Sequence, residues 1–424
     1  MTRSLPSPSF CVLPWTHRYV SERGRIYPCA FSTESGSALK KENGEYFQLS
    51  DLSAAWNSLE MRTLRLEMLS GKKPQGCARC FRLEGFGLQS LREVANRAWS
   101  EEIADRVAQS SPSGEAPEWI DSLDLRLGNF CNLRCRMCSP ESSRKLAEEF
   151  RGLHPELSES YFSELKNLDW FRSAEAREIL LKNKKNLREL HFAGGEPFLI
   201  PELKDFLKDL LDAGCAQDII LTFNTNLTVL PPGILDFFPH FKQVKIIVSL
   251  DAHGDLNDYI RFPSEFNKIE NNLRLLDMNF HSYGRLLVCF HVTVQMYNVL
   301  LLDKLIQYVS RSFSHFLPFP ILSALHWPAY FAPMVLPDAL KELAELRLLS
   351  LMEREAEYWK SIESRCDYPN GANKFVGSIQ GMIRLMKSEN QPERFFEFKR
   401  ATDYFDTSRN QKLVEIVPDF LGHA

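Results

Sequence analysis

Cys131, Cys135 and Cys138 lie in the stretch Asn129-Phe130-Cys131-Asn132-Leu133-Arg134-Cys135-Arg136-Met137-Cys138, a C-x3-C-x2-C spacing. Three thiolates on one short loop can hold three corners of a four-iron cluster and leave the fourth iron open, since such clusters are otherwise closed by four cysteines. The same residues could instead hold zinc with a distant fourth ligand. A second set, Cys11, Cys29, Cys77 and Cys80, ends in a C-x2-C pair. Four cysteines can close a further [4Fe–4S] cluster or make a tetrahedral zinc site. Gly194-Gly195-Glu196-Pro197 combines two residues that let a backbone approach a ligand closely with a carboxylate suited to a cation.

These groups need a scaffold, and the apolar pattern supplies one. Strand-like runs fall at 122–129, 187–194, 218–226, 243–251, 285–295 and 314–323. Helical patterns occupy 139–152, 201–213, 264–279, 300–312 and 337–362. Alternation of the two predicts βα units and a parallel sheet. Side-chain parity then chooses the form of the sheet. One face of the strands is apolar, as in Ile246, Val248 and Leu250, while the other carries Asp124 and Arg126, Glu189 and His191, Asn224 and Asn226, Ser249 and Asp251, and His291 and Thr293. A doubly wound sheet, covered on both faces, would read as near-continuous apolar runs. The pattern predicts an α/β protein built on a partial (β/α)6 TIM-like barrel with a polar lumen, and it places the 131–138 loop at the C-terminal end of the first strand, where active sites of such barrels sit.

The chain has 424 residues with 44% hydrophobic and 25% charged, the composition of a soluble globular protein of two or three domains. A Ser-, Pro- and Gly-containing stretch at 109–118 reads as a linker. It divides the chain into a cysteine-rich domain at 1–115, the barrel at 116–335 and a C-terminal extension at 336–424, whose part beyond 363 has no clear period. Residues 1–9 lack the apolar core of a signal peptide and no 18 apolar residues run together, so the expectation is a cytoplasmic protein without a membrane partner. Ten cysteines in that compartment point to metal or catalysis rather than disulfides. The net charge of −4 gives no overall basic footprint, but Lys182, Lys184, Lys185 and Arg188 keep nucleic acid open as a partner.

The three-cysteine loop followed one βα unit later by Gly194–Pro197 resembles the radical S-adenosylmethionine (SAM) superfamily. That resemblance implies that Cys131, Cys135 and Cys138 carry a SAM-binding [4Fe–4S] cluster and that Gly194, Gly195, Glu196 and Pro197 meet the methionine ammonium. It also implies that Asn224, Asn226, Ser249, Asp251 and Arg261 serve the cofactor, Ser249 and Asp251 at the ribose and Arg261 at the SAM carboxylate. Met137 stands where the superfamily often has an aromatic residue. Cys11-Val12-Leu13-Pro14-Trp15, Gly24 to Cys29, Trp56-Asn57-Ser58, Arg62 and Cys77-x2-Cys80 resemble the SPASM/twitch auxiliary-cluster extension, here ahead of the barrel rather than after it. With four cysteines, one auxiliary [4Fe–4S] cluster is implied.

The implied activity is reductive cleavage of SAM to a 5′-deoxyadenosyl radical that abstracts hydrogen from a substrate. A peptide or protein is the first expectation, with an external electron donor of the flavodoxin or ferredoxin type. The alternatives are modification of a nucleotide, nucleic acid or sugar, and a non-catalytic zinc-binding or redox-sensing protein on a degenerate barrel. Cys289 and Cys366 are candidate hydrogen-atom donors. Cys215 reads as a buried small hydrophobe. His191 and His291 face the expected lumen, and His326, Trp327, Tyr330 and Phe331 could line an entrance.

Overall fold

The computed structural model describes residues 5–421, so the extreme ends of the first and last expected domains lie outside the described residues. Among the described residues there are eight strands: β1 (His17–Val20), β2 (Ile26–Tyr27), β3 (Ser122–Arg126), β4 (Glu189–Ala193), β5 (Ile220–Thr225), β6 (Gln243–Ser249), β7 (Leu286–Val294) and β8 (Ile321–Ala324). β3 to β7 are five of the six expected strands, trimmed at their ends, while β8 overlaps only the last three residues of the run expected at 314–323 and extends one residue beyond it. The chain divides into two compact units, one of Met1–Gly128, Asn167–Thr222 and His240–Lys242, the other of Asn129–Lys166, Phe223–Pro239 and Gln243–Ala424. The fold is α/β with mostly parallel strands.

In the first unit the strand order is β2-β1-β3-β4, followed by the start of β5. β1 pairs antiparallel with β2 and parallel with β3, and β3 pairs parallel with β4 from Ser122↔Glu189 to Arg126↔Ala193. The cysteine-rich segment therefore adds two strands to the sheet ahead of β3, the first strand read from the sequence. Nothing in the sequence announced β1, because His17-Arg18-Tyr19-Val20 is buried at all four positions and shows no polar–apolar alternation. Residues 109–118 are also more tightly held than a linker. Trp56 Nε1 donates to the carbonyls of Ala116 (3.1 Å) and Pro117 (3.0 Å), and the fully buried Arg65 donates to the carbonyls of Pro14, Trp56 and Gly114. A buried guanidinium with every direction used in this way fixes three backbone segments at once.

In the second unit the end of β5 is followed by β6-β7-β8, all parallel, with Ser249↔His291 and His291↔Ile321 in register. Burial alternates along β6: Val244, Ile246 and Val248 are fully buried while the intervening residues are partly exposed. Helices Phe266–Met278 and Leu302–Ser312 bury Phe266, Ile269, Leu273 and Leu276, and Leu302, Leu305, Ile306 and Val309. Beyond the long helix Asp338–Ser361, the stretch read as lacking a period forms the helices Gly371–Met386 and Pro392–Arg409. Gly371, Gly377 and Gly381 interrupt the apolar stripe of the first. The second buries Thr402 and Arg409 beside Phe398, Ala401 and Phe405, so polar residues sit in its packed face. Either feature hides a helix from an apolar-period reading.

Gly128, at the end of β3, has φ +107°, and a Cβ there would lie 1.9 Å from the carbonyl oxygen of Leu168. Gly214 has φ +69° in open space. Gly128→Ala is expected to cost about 3 kcal/mol or more, and Gly214→Ala about 1 kcal/mol. Urea midpoints check this, and equal losses would contradict the close approach.

Candidate active site

In the second unit the 131–138 loop has no regular structure of its own, so its backbone must be satisfied by other segments. The Arg134 N–H donates to Phe262 O (2.6 Å) and the Arg136 N–H to Ile260 O (2.9 Å), which lays the middle of the loop along the residues after the helix Asp255–Ile260. Cys138 N–H donates to Cys135 O at 3.1 Å, and Ser143 Oγ donates to Leu133 O at 2.6 Å. Cys131 and Cys135 are buried and Cys138 is half-buried, in one cluster with Leu133 and Met137. Burial pushes the Cys138 thiol well up, with smaller additions from the neighbouring Cys135 and Cys131. Cys135 is raised chiefly by burial, with Arg261 and Arg409 pulling it back.

The expected partners in this unit divide into two groups. Asn226, at the end of β5, is buried: its Nδ2 donates to Asn132 Oδ1 (3.0 Å) and lies 4.0 Å from Cys131 Sγ, while its Oδ1 accepts from the Thr228 N–H (2.9 Å) and hydroxyl (2.6 Å). It thus joins an Asx-type turn to the cysteine loop. Asp251 is fully buried; Oδ1 accepts from the Thr293 N–H at 2.8 Å and Oδ2 lies 2.8 Å from Arg261 Nε. That charge contact is off the hydrogen-bond direction, and both buried atoms retain capacity for a polar partner. Burial raises the Asp251 pKa against the pull of Arg261; burial would lower that of Arg261, but Asp251 together with Cys135 and Cys138 raises it. Asn224 and Ser249 are half-buried on the less buried parity of β5 and β6.

In the first unit, Gly194-Gly195-Glu196-Pro197 follows β4. Gly194 has φ +107°, and a Cβ on it would meet Gly128 O and Leu127 N at 2.8 Å. Its need for glycine therefore arises at least in part from the crossing of two strand ends. The Gly195 N–H donates to Gly128 O (2.8 Å), and Glu196, 1% exposed, accepts from the Phe198 N–H at 3.1 Å, capping the short turn Pro197–Leu199. A carboxylate so completely buried suits a cationic neighbour.

The same unit holds the other four cysteines. Cys11, Cys29, Cys77 and Cys80 line one cavity of about 610 Å³, with Leu13, Leu64, Met68 and Phe31 among its apolar walls. Burial raises all four thiols, Cys77 to about 12 and Cys80 to about 11, and at Cys11, Cys77 and Cys80 the other thiols add to the rise. Among the described residues no three His, Cys, Asp or Glu side chains converge closely enough to share one ion. A zinc site would draw four thiolates to about 2.3 Å from one point. An all-thiol donor set around a roomy apolar cavity fits a multi-iron cluster, in which each thiolate takes its own iron.

Sequence reasoning missed several residues. Asn132 and Thr228 hold the loop, and Glu149 bonds Arg134 at 3.2 Å. His17 and Asp124 were not combined as a site, yet their strands form a row in the first unit: His17 Nδ1 lies 2.9 Å from Ser122 Oγ, and Asp124 Oδ2 lies 3.3 Å from His191 Nδ1 and 3.1 Å from Arg126. The unread strand β1 is the reason. Of the remaining cysteines, Cys289 is buried and Cys215 and Cys366 are half-buried. In the second unit, His291 Nε2 lies 2.8 Å from Ser323 Oγ, and Trp327 and Tyr330 pack around the Phe150 and His154 rings.

Two thiol-rich sites on a mostly parallel α/β scaffold define a protein equipped to bind metal through thiolates. The radical SAM superfamily matches residues 125–300 and an iron–sulfur cluster-binding domain, SPASM, matches residues 11–81. Residues 125–300 thus form a radical SAM domain with a SPASM domain N-terminal to it, and these domains imply a [4Fe–4S] cluster, SAM and further iron–sulfur as cofactors. It is 26% identical over 159 residues to GTP 3′,8-cyclase of Microcystis aeruginosa, covering 36% of this chain and 39% of the cyclase. The chain therefore matches only about two fifths of the length of that relative. Streptococcus suis SuiB bound to SAM shares 13% identity and a TM-score of 0.35 over 85% of this chain and 71% of SuiB; SuiB bound to the precursor peptide SuiA gives 13%, 0.34, 82% and 71%. Among the described residues no helix is long and apolar enough to cross a membrane.

The His17 row carries a pH prediction. Burial lowers the His17 pKa from 6.5 to about 4, against the opposing pull of Asp124. The folded state therefore keeps His17 neutral while the unfolded chain protonates it, so stability is full above about pH 6.5 and falls towards pH 4. Between pH 7 and pH 5 the loss from this group is about 2 kcal/mol. Urea midpoints of wild type and His17→Gln at the two pH values test this: the variant should lose less, and equal slopes would contradict a neutral His17.

Proposed function

We propose that Cys131, Cys135 and Cys138 hold the SAM-binding cluster, that Cys11, Cys29, Cys77 and Cys80 hold the auxiliary cluster, and that the substrate is a peptide or protein. The single observation that carries the auxiliary-cluster assignment is the four-thiol cavity of the first unit, which coincides with the residues matched as SPASM. The resemblance to enzymes with that extension, which commonly modify peptides, supports the peptide reading. In functional terms the division would be an auxiliary domain at 1–115, the radical SAM portion at 116–335 and a C-terminal extension at 336–424.

Held by Cys131, Cys135 and Cys138, the cluster would supply the reducing electron for radical chemistry on SAM. The chain's own contribution begins with its thiols. Their raised pKa means that Cys135 and Cys138 Sγ must give up protons as iron binds, so loading releases protons and is favoured by high pH. Asn226 and Asn132 fix the start of the loop, and the pairing with Ile260 and Phe262 fixes its middle. Arg261 would offer its charge to the SAM carboxylate while Asp251 orients it. Gly194 to Pro197 would offer backbone and the Glu196 carboxylate to the SAM ammonium. Asn224 and Ser249 would make polar contacts to SAM. An electron donor of the flavodoxin or ferredoxin type completes the scheme.

The second reading, a nucleotide substrate, is favoured by the likeness to GTP 3′,8-cyclase. The two separate in one assay. Anaerobically reconstituted, dithionite-reduced protein is given SAM with either a pool of tryptic peptides or GTP, and 5′-deoxyadenosine is measured. The proposal expects formation above the protein-alone background with peptides, lost by about 100-fold or more in Cys135→Ala. Stimulation by GTP alone would replace the peptide reading, and wild-type protein that forms no 5′-deoxyadenosine would overturn the assignment of the cysteines.

A further inference from the structure

The radical SAM match ends at residue 300, yet three residues far beyond it, Asp406, Arg409 and Gln411, reach the cysteine loop of the second unit. We infer that the end of the helix Pro392–Arg409, with the turn after it, is a brace for that loop, and that Asp406 and Arg409 are positioning residues for Cys135. This rests on the assignment of Cys131, Cys135 and Cys138 to the SAM cluster.

Both chain neighbours of Cys135 are gripped. On one side, Arg409 Nη2 donates to the Arg134 carbonyl at 2.8 Å. On the other, Arg136 Nη2 donates to Asp406 Oδ1 at 2.6 Å and to Gln411 Oε1 at 3.0 Å, while its Nε donates to Tyr259 O at 3.0 Å. The Arg136 guanidinium also lies 3.7 Å from the centre of the Tyr259 ring. The gripping groups are themselves fixed. Asp406 accepts from the Tyr259 hydroxyl (2.8 Å) and the Leu413 N–H (2.7 Å), and Arg409 pairs with Glu149 at 2.7 Å and lies 4.4 Å from the Phe405 ring.

Two features say that this is more than packing. The side chains of Arg136 and Arg409 are fully buried, and a buried ion pair is often no more stabilising than apolar residues of the same volume, whereas its geometry is far more specific. The charges also do not cancel. Arg134, Arg136, Arg261 and Arg409 pair with Glu149, Asp406 and Asp251, four positive groups against three negative, beside a loop that would carry three thiolates. The surplus suits an anionic thiolate-bound cluster, and removing a guanidinium should make that cluster harder to reduce.

The test uses the full-length reconstituted protein, whose auxiliary cluster in the first unit serves as an internal reference. Electron paramagnetic resonance of the reduced protein, with and without SAM, and redox titration are compared for wild type, Asp406→Asn, Arg409→Gln and Arg409→Lys. The brace predicts that Arg409→Gln and Asp406→Asn at least halve the SAM-responsive signal or shift its midpoint, downward for Arg409→Gln, with the auxiliary signal unchanged. Arg409→Lys, which keeps the charge, should restore the midpoint. Unchanged SAM-responsive signals in both Arg409→Gln and Asp406→Asn would overturn the brace, as would parallel loss of both signals in Arg409→Lys and Arg409→Gln, the mark of a purely structural role. A wild type with auxiliary signal but no SAM-responsive one would overturn the cluster assignment and the brace together; a normal wild type with indifferent variants would overturn the brace alone.

Discussion

The structure of the second unit turns on the backbone pairing of the cysteine loop with Ile260 and Phe262. The loop that carries these three thiols is neither helix nor strand, and unpaired buried amides are costly. The N–H groups of Arg134 and Arg136, flanking Cys135, find their acceptors in that one segment. The segment is held in turn: Arg261, between the two acceptors, pairs with Asp251 at the end of β6, and Asp251 is bonded to β7 through Thr293. Parallel strands thus fix a carboxylate, the carboxylate fixes an arginine, and the residues on either side of that arginine fix the thiols.

The four cysteines of the first unit meet a different constraint. They come from separated points of the chain, so chain segments rather than one loop must bring them together. Arg65 holds the Pro14 carbonyl, close to Cys11; Arg92 and Asn96, downstream of Cys80, hold the backbone of Phe10 and Val12; and the walls between the thiols are apolar. Burial keeps those thiols protonated until a metal replaces the protons, which makes loading sensitive to pH and couples it to folding.

Much of this was legible in the sequence because strands such as β6 alternate cleanly: Val244, Ile246 and Val248 buried, Lys245 and Ser249 partly exposed. The cysteine spacings were equally plain. What escaped notice lacked a period. β1 is buried on both faces, and the helices Gly371–Met386 and Pro392–Arg409 carry glycines or buried polar residues in their packed faces. The roles of Asn132, Asp406 and Arg409 could not be read at all, because each depends on a partner far away in the chain; Arg409 and Arg134 are 275 residues apart. Arg261 was expected to face a cofactor, and its pairing with Asp251 links two residues the sequence had treated separately.

The central claim is that two sets of thiols, one in each unit, each hold a cluster of their own. Iron and zinc counts on anaerobically reconstituted protein, with Mössbauer spectra, test it most directly. The account predicts about eight irons in wild type, and about four in either the variant lacking Cys131, Cys135 and Cys138 or the variant lacking Cys11, Cys29, Cys77 and Cys80. Zinc in place of iron at the four-cysteine cavity, or loss of all iron when either set alone is removed, would contradict it.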